Sequence, residues 1–252
     1  MRLSRLPRIP VFFVALFFTA SSLAPLPYVV VSPGAGTDVL ANVIKISGAP
    51  TYATTGKLLV TTVLATSPDS HIFGLELLYA WMRGTSIVLP RDVVYPPEKT
   101  AKQIQSEFAG DMKLSQDNAS SAALGYLGFA PSQSAVKVTI NLKATGGPSG
   151  GLIFALGIIE KLSPIDFLHG RVVAGTGTID LQGAVGPIGG IDEKLIAAAK
   201  NSGASVFLAP STNCNDVHHI PGGLKVYSVS SLKEAVSVLK DARNSIPHCT
   251  WQ

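Results

Sequence analysis

Charge is scarce in this chain, and so are aromatic residues and cysteines: 14% of residues are charged, 7% are aromatic, and two of the 252 are cysteine. So few charges beside 46% hydrophobic residues exclude a disordered chain. The net charge of +4 is spread along the sequence, with local enrichment only at Arg2, Arg5 and Arg8, so a nucleic acid finds no basic platform. There is no internal repeat, no low-complexity tract and no G-x-x-x-x-G-K-[ST] phosphate loop. His71, His169, His218, His219 and His248 stand in no triad context and read as loop residues. His218-His219 with Cys214 and Asp216 matches no standard ligand spacing, so neither a metal nor a cofactor is expected. A chain of this length buries a full core without either.

What is present begins with an apolar run. After the three arginines, Ile9 to Val31 carries no charge. A signal peptide cleaved near Ala20-Ser21-Ser22 and an uncleaved membrane anchor compete for this stretch. The anchor is the preferred reading, with the arginines in the cytoplasm and the remainder exported, a single-pass, extracytoplasmic arrangement at the cell membrane. Export suits Cys214 and Cys249, which form either a disulfide or two unpaired thiols.

Beyond the anchor, Val43–Ile46 and Lys57–Leu64 have strand composition and Ile72–Met82 reads as a helix. The spacing is helical again over Glu98–Ala109 and Ser115–Leu127, and Ala135–Leu142 alternates as a strand. A glycine-rich turn, Ala144 to Gly151, precedes an apolar helix at Leu152–Leu162. Strands are expected at Arg171–Gly175, Thr178–Leu181, Ser205–Ala209 and Val226–Val229, with helices at Ile191–Asn201 and Ser231–Arg243. This alternation implies an α/β or α+β domain.

Ser149 lies in Gly146-Gly147-Pro148-Ser149-Gly150-Gly151, between a strand and a helix. The free N–H groups at such a helix start suit a tetrahedral oxyanion, a phosphate, or no ligand at all if the turn is purely structural. A serine hydroxyl needs a base. Lys194, in Gly189-Gly190-Ile191-Asp192-Glu193-Lys194, occupies the first turn of a helix, where the dipole and partial burial both favour the neutral amine. A surface lysine is the bland alternative.

GGPSGG, its apolar helix and GTGTIDLQGAVGPIGGIDEKLIAA together resemble the proteolytic domain of Lon proteases. The resemblance implies a Ser149–Lys194 dyad, Thr176 orienting the lysine amine, and an oxyanion hole from the backbone of Ser149 and Gly150. PYVVVSPG, GKLLVTTV, MKLSQDNASSAALGYLG and ASVFLAPSTNC extend it to bacterial membrane-anchored Lon-like proteases that carry a PDZ domain. Three features depart from that pattern. Too few residues lie between Gly128 and Leu142 for a PDZ domain; Gly146 replaces the acid common three residues before the serine; Gly150 replaces the usual alanine, with little expected effect.

The expected fold is therefore α+β, a Lon-type catalytic domain behind a transmembrane anchor. The divisions are a basic start and anchor at 1–31, a lead-in at 32–128, the proteolytic core at 129–245 and a tail at 246–252. The expected activity is ATP-independent serine endopeptidase cleavage of unfolded or flexible polypeptides at the outer membrane face. Partners implied are such substrates, the membrane through the N-terminal helix, and further copies of the chain in a homo-oligomer of hexameric-ring type. A catalytically inactive, membrane-attached scaffold is the alternative, with a phosphate-binding enzyme behind it.

Overall fold

The computed structural model describes residues 8–129, 135–142, 146–240 and 247–249. Arg2, Arg5, Ala144, Thr145 and the end of the last expected helix at Asp241–Arg243 lie outside them. The chain divides into two compact units, Met1–Ser32 with Ala65–Ala101, and Pro33–Leu64 with Lys102–Gln252.

In the first unit the apolar run does not form one helix. Helix Arg8–Leu23 has 16 residues, about 24 Å at 1.5 Å per residue and short of a hydrocarbon core of about 30 Å. Pro25 and Pro27 cannot continue it. The chain instead becomes extended: Pro25–Leu26 pairs antiparallel with Ile72–Phe73, and Tyr28–Val31 pairs antiparallel with Ile87–Pro90. Among the described residues no helix is long and apolar enough to cross a membrane. The expected transmembrane anchor is thereby overturned, and with it the fold class that included one. The likeness to membrane-anchored relatives, the membrane as a partner and the single-pass, extracytoplasmic location fall too. Helix Gly74–Arg83 starts two residues later than the expected Ile72, because Ile72–Phe73 is taken into strand pairing. Glu76 accepts the Phe73 N–H at 3.2 Å to close its first turn.

The second unit is mixed α/β. Strands Lys57–Ala65, Val172–Gly175, Val206–Pro210 and Lys225–Val229 lie side by side and parallel, with Leu58 opposite Val173, Val173 opposite Val206, and Phe207 opposite Val226. Strands Ile44–Ser47 and Lys137–Ile140 form a separate antiparallel pair. The helix Gly151–Leu162 is apolar on every side and, apart from Lys161, buried along its whole length, as expected of a core helix rather than a surface one. Its apolar side chains from Leu152 to Leu162 join Leu58, Val60, Val173, Leu208, Val236 and Leu239 in the larger core cluster.

The two helical stretches expected between Glu98 and Leu127 are one helix, Ala101–Tyr126. Its inward stripe is Ile104, Met112, Ser115, Ala119, Ala122 and Ala123. Gly110 and Lys113 interrupt the apolar spacing but not the helix, and Lys113 meets Asp117 one turn later on the exposed face. The helix expected at Ile191–Asn201 is α-helical over Ile191–Ile196 and continues as a wider turn, Ala197–Asn201.

Candidate functional site

The strand Val172–Gly175 runs directly into Thr176, and the turn holding Ser149 is built onto it. Thr176 anchors to the neighbouring strand through its N–H, which donates to the Leu208 carbonyl at 3.1 Å. The Ser149 carbonyl accepts from the Gly177 N–H at 2.8 Å and from Thr176 Oγ1 at 3.0 Å, while the Leu152 N–H donates to the Gly177 carbonyl at 3.1 Å. These crossings fasten the first turn of the core helix to the Gly175–Gly177 segment.

Gly150 is buried at a place with no room for a side chain. A Cβ there would stand 2.9 Å from the Phe154 ring and 3.1 Å from Val60 Cγ2. The Gly151 N–H turns back to the Pro148 carbonyl at 3.3 Å. Among the described residues, the Ser149 and Gly150 N–H groups meet no acceptor.

Lys194 comes from the short helix that follows Gly189-Gly190. Gly190 adopts the left-handed conformation at φ 67°, which lets the chain turn sharply into the helix. Lys194 is 3% exposed, and its Nζ donates to Thr176 Oγ1 at 3.1 Å. Burial lowers its pKa from 10.5 to about 8. Loss of hydration, rather than the helix dipole, is therefore the cause to credit. Among the described residues no carboxylate forms an ion pair with it. The next residue back, Glu193, is also buried, and its carboxyl is raised by burial and by Asp192.

Ser149, Gly150 and Lys194 share the wall of one cleft of about 170 Å³, whose remaining lining includes Val60, Thr61, Met112, Leu142 and Gly146. Thr176, 0% exposed, links Lys194 to the Ser149 backbone. The four residues singled out from sequence thus lie together. No acid at position 146 fits this packing, since a Cβ on Gly146 would approach Phe108 Cβ to 2.8 Å.

Other residues support the site without having been singled out. Ser115 Oγ donates to the Pro148 carbonyl at 2.8 Å, the Phe108 carbonyl accepts the Gly147 N–H at 3.1 Å, and Thr61 Oγ1 donates to the Gly175 carbonyl at 3.2 Å. Ser115 and Thr61 fall in two of the segments that carry the resemblance, MKLSQDNASSAALGYLG and GKLLVTTV, whereas Phe108 does not.

Cys214 and Cys249 are joined as a disulfide. His218 lies beside Asp192, with Nδ1 2.9 Å from Oδ2, while Asp216 accepts from Asn213. Among the described residues no cluster of histidine, cysteine and carboxylate side chains is arranged to hold a metal ion.

Known proteins resemble this chain over its C-terminal half. Residues 131–243 match the Lon protease (S16) C-terminal proteolytic domain. The chain is 39% identical over 105 residues to the Lon protease of Rickettsia typhi, covering 40% of this chain and 13% of that protein. It is 36% identical over 102 residues to that of Trichlorobacter lovleyi, covering 40% and 12%. Against the Lon protease of Azorhizobium caulinodans it is 43% identical over 79 residues, covering 31% and 9%. The matched stretch is thus a small fraction of each relative's length. Over residues 131–243 the chain is thus similar to a Lon-type proteolytic domain.

Proposed function

We propose that this chain is a serine endopeptidase in which Ser149 is the nucleophile and Lys194 its general base. The observation that carries the reading is Lys194 itself: a buried lysine on the wall of the Ser149 cleft, lowered to about 8 and held by Thr176. A lysine so placed is neutral in about a tenth of molecules at pH 7, far more than an ordinary lysine, and a general base requires the neutral form.

In the proposed reaction, neutral Lys194 Nζ takes the Ser149 Oγ proton as Oγ attacks a peptide carbonyl. The N–H groups of Ser149 and Gly150 hold the oxyanion, an interaction worth about 3–4 kcal/mol per donor in serine proteases. The Lys194 ammonium then gives its proton to the leaving amine. Water, deprotonated by the same amine, attacks the acyl-enzyme; the acyl C–Oγ bond breaks and the Lys194 ammonium returns the proton to Ser149 Oγ. Thr176 keeps the lysine amine in place and fixes the Ser149 carbonyl with the same hydroxyl. The chain carries no phosphate loop, so the proposed cleavage draws on no ATP-driven unfolding of its own, and unfolded or flexible polypeptides are the substrates that reach such a narrow cleft.

The test is cleavage of fluorescently labelled, unfolded casein by wild type and Ser149→Ala. Activity in the wild type and its loss in the folded variant is the expected outcome. Cleavage that survives Ser149→Ala would remove the nucleophile assignment. A wild type that cleaves nothing would favour a catalytically inactive scaffold.

A further inference from the structure

Lys194 must be placed to within a fraction of an ångström for proton transfer; Ile191 and Leu195 pack its helix into the core, but the start of the helix has few polar holds. The helix has six residues, and its N-cap, Gly190, offers no side-chain cap. Ahead of it, Pro187 has no N–H to give, and Gly189 and Gly190 have no side chain to pack. Between the paired strand Val185–Gly186 and the packed residue Ile191, the backbone of this segment is therefore fixed chiefly at Ile188.

Ile188 packs against the core, and both of its backbone polar groups are held by one side chain. Asn213 Oδ1 accepts the Ile188 N–H at 2.9 Å, and Asn213 Nδ2 donates to the Ile188 carbonyl, also at 2.9 Å. An asparagine amide presents a donor and an acceptor side by side, so it pairs with the N–H and C=O of one residue as a neighbouring strand would. Asn213 is 4% exposed, and its amide is fixed by a further bond to Asp216 Oδ2 at 2.9 Å. Its neighbour Cys214 is bridged to Cys249, whose N–H donates to the Val226 carbonyl of the parallel sheet at 3.1 Å. A second hold lies within the helix, where Asp192 Oδ1 accepts the His218 N–H at 3.0 Å.

We infer that Asn213 is a positioning residue for the general base: it ties the Ile188 loop, and so the start of the Lys194 helix, to a turn that the disulfide anchors on the sheet. The inference rests on the Ser149–Lys194 reading. Asn213 touches neither reacting group; it acts through Ile188.

Asn213→Ala should lower kcat on labelled casein by about 10- to 100-fold with KM within about twofold, the cost of a base displaced by an ångström or less. The midpoint of the pH–kcat profile should move up as water reaches the loosened Lys194. Asn201→Ala is the control: it removes a side-chain bond to the Gly34 carbonyl at the far end of the same segment and should leave the profile in place. An Asn213→Ala protein with lowered thermal stability but unchanged kcat and pH midpoint would reduce Asn213 to a structural residue. If the alanine variant does not fold, Asn213→Asp keeps the shape and the acceptor, loses the donor to Ile188, and is read the same way. The titration of the Lys194 amine by NMR in the Ser149→Ala chain gives a readout that needs no cleavage. An upward shift on adding Asn213→Ala supports the positioning role even if the chain proves not to be a peptidase, and no shift overturns it.

Discussion

The core helix Gly151–Leu162 has a buried ionisable group associated with each end, and the two meet different fates. Beside its first turn, Lys194 is 3% exposed and lowered by burial to about 8. Near its last turn, Glu160 is 0% exposed and raised to about 7, first by burial and then by a hydrogen bond with Asp166. Both groups are pushed toward their neutral forms by the same loss of hydration. Lys194, however, shares a cleft with Ser149 and is steadied by Thr176. Glu160 instead accepts the Phe167 N–H and is hydrogen-bonded to Asp166, neither of which is a reacting group of the Ser149 cleft. Burial also pushes Asp166 up, but hydrogen bonds from Thr55, Glu160 and the His169 N–H hold it below the usual carboxylate range. A perturbed pKa is thus a weak marker of function until a cleft and a second reacting group stand beside it.

The comparison breaks most decisively at Lys194. Lys194→Met, close in size and unable to take a proton, should cost at least about 10³-fold in kcat, as removal of a member of a catalytic unit does. In the wild type the rate should rise with pH through about 8 as the neutral amine forms, roughly tenfold between pH 7 and pH 9. A profile flat across that range would put the base elsewhere.

Glu160 should instead be read in stability. Its folded pKa is raised, so the folded state holds the proton more tightly than the unfolded chain. Its contribution is complete below 4.5 and lost as pH rises through about 7, on the order of 3 kcal/mol. The window of Asp166 lies lower, below 3.8, and runs the other way. Lys194 gives a third limb. Its folded pKa is lowered, so stability is gained between about 8 and 10.5. Glu193, raised by burial, adds to the falling limb, and Lys161, lowered by burial, adds to the rising one. Denaturant titrations should therefore find a minimum of stability between about pH 7 and pH 8. Glu160→Gln, isosteric and never charged, should flatten the falling limb and leave cleavage intact. Loss of cleavage in that variant would mean that the two ends of the helix are coupled.

The two ends were unequally visible in the sequence. Ser149, Thr176 and Lys194 each sit in a short glycine-marked segment whose composition shows a turn, and a turn before a helix carries its chemistry locally. Glu160 is a single acid in an apolar helix, and only the packing of the Ser163–Gly170 loop against it shows that its carboxyl is sealed in. Asn213 was passed over for the same reason, because its partner Ile188 is brought to it by the fold. The N-terminal run was misread because hydropathy records continuity and not direction. The prolines at 25 and 27 and the pairing partners Ile72–Phe73 and Ile87–Pro90 turn its second half into strand. Gly110 misled in the opposite sense: a glycine in a long helix costs only about 1 kcal/mol, and the burial of the stripe from Ile104 to Ala123 outweighs it.

The smallest expected effect tests whether the open end of the core helix is packed as tightly as the sealed one. An alanine at position 150 was expected from sequence to matter little. In the fold its methyl group would enter the space held by the Phe154 ring at 2.9 Å and Val60 Cγ2 at 3.1 Å. Gly150 has φ −91°, so the backbone accepts alanine without strain and any cost is steric. Gly150→Ala should therefore lose about 1–2 kcal/mol in denaturant unfolding, the usual penalty for overpacking by one methyl. Because both neighbours are side chains, a partial loss of cleavage should accompany it as Phe154 shifts the first turn of the helix. Unchanged stability would show that the Phe154 ring swings aside freely, and that the turn carrying Ser149 is held by its bonds to Thr176 and Gly177 rather than by the packing beneath it.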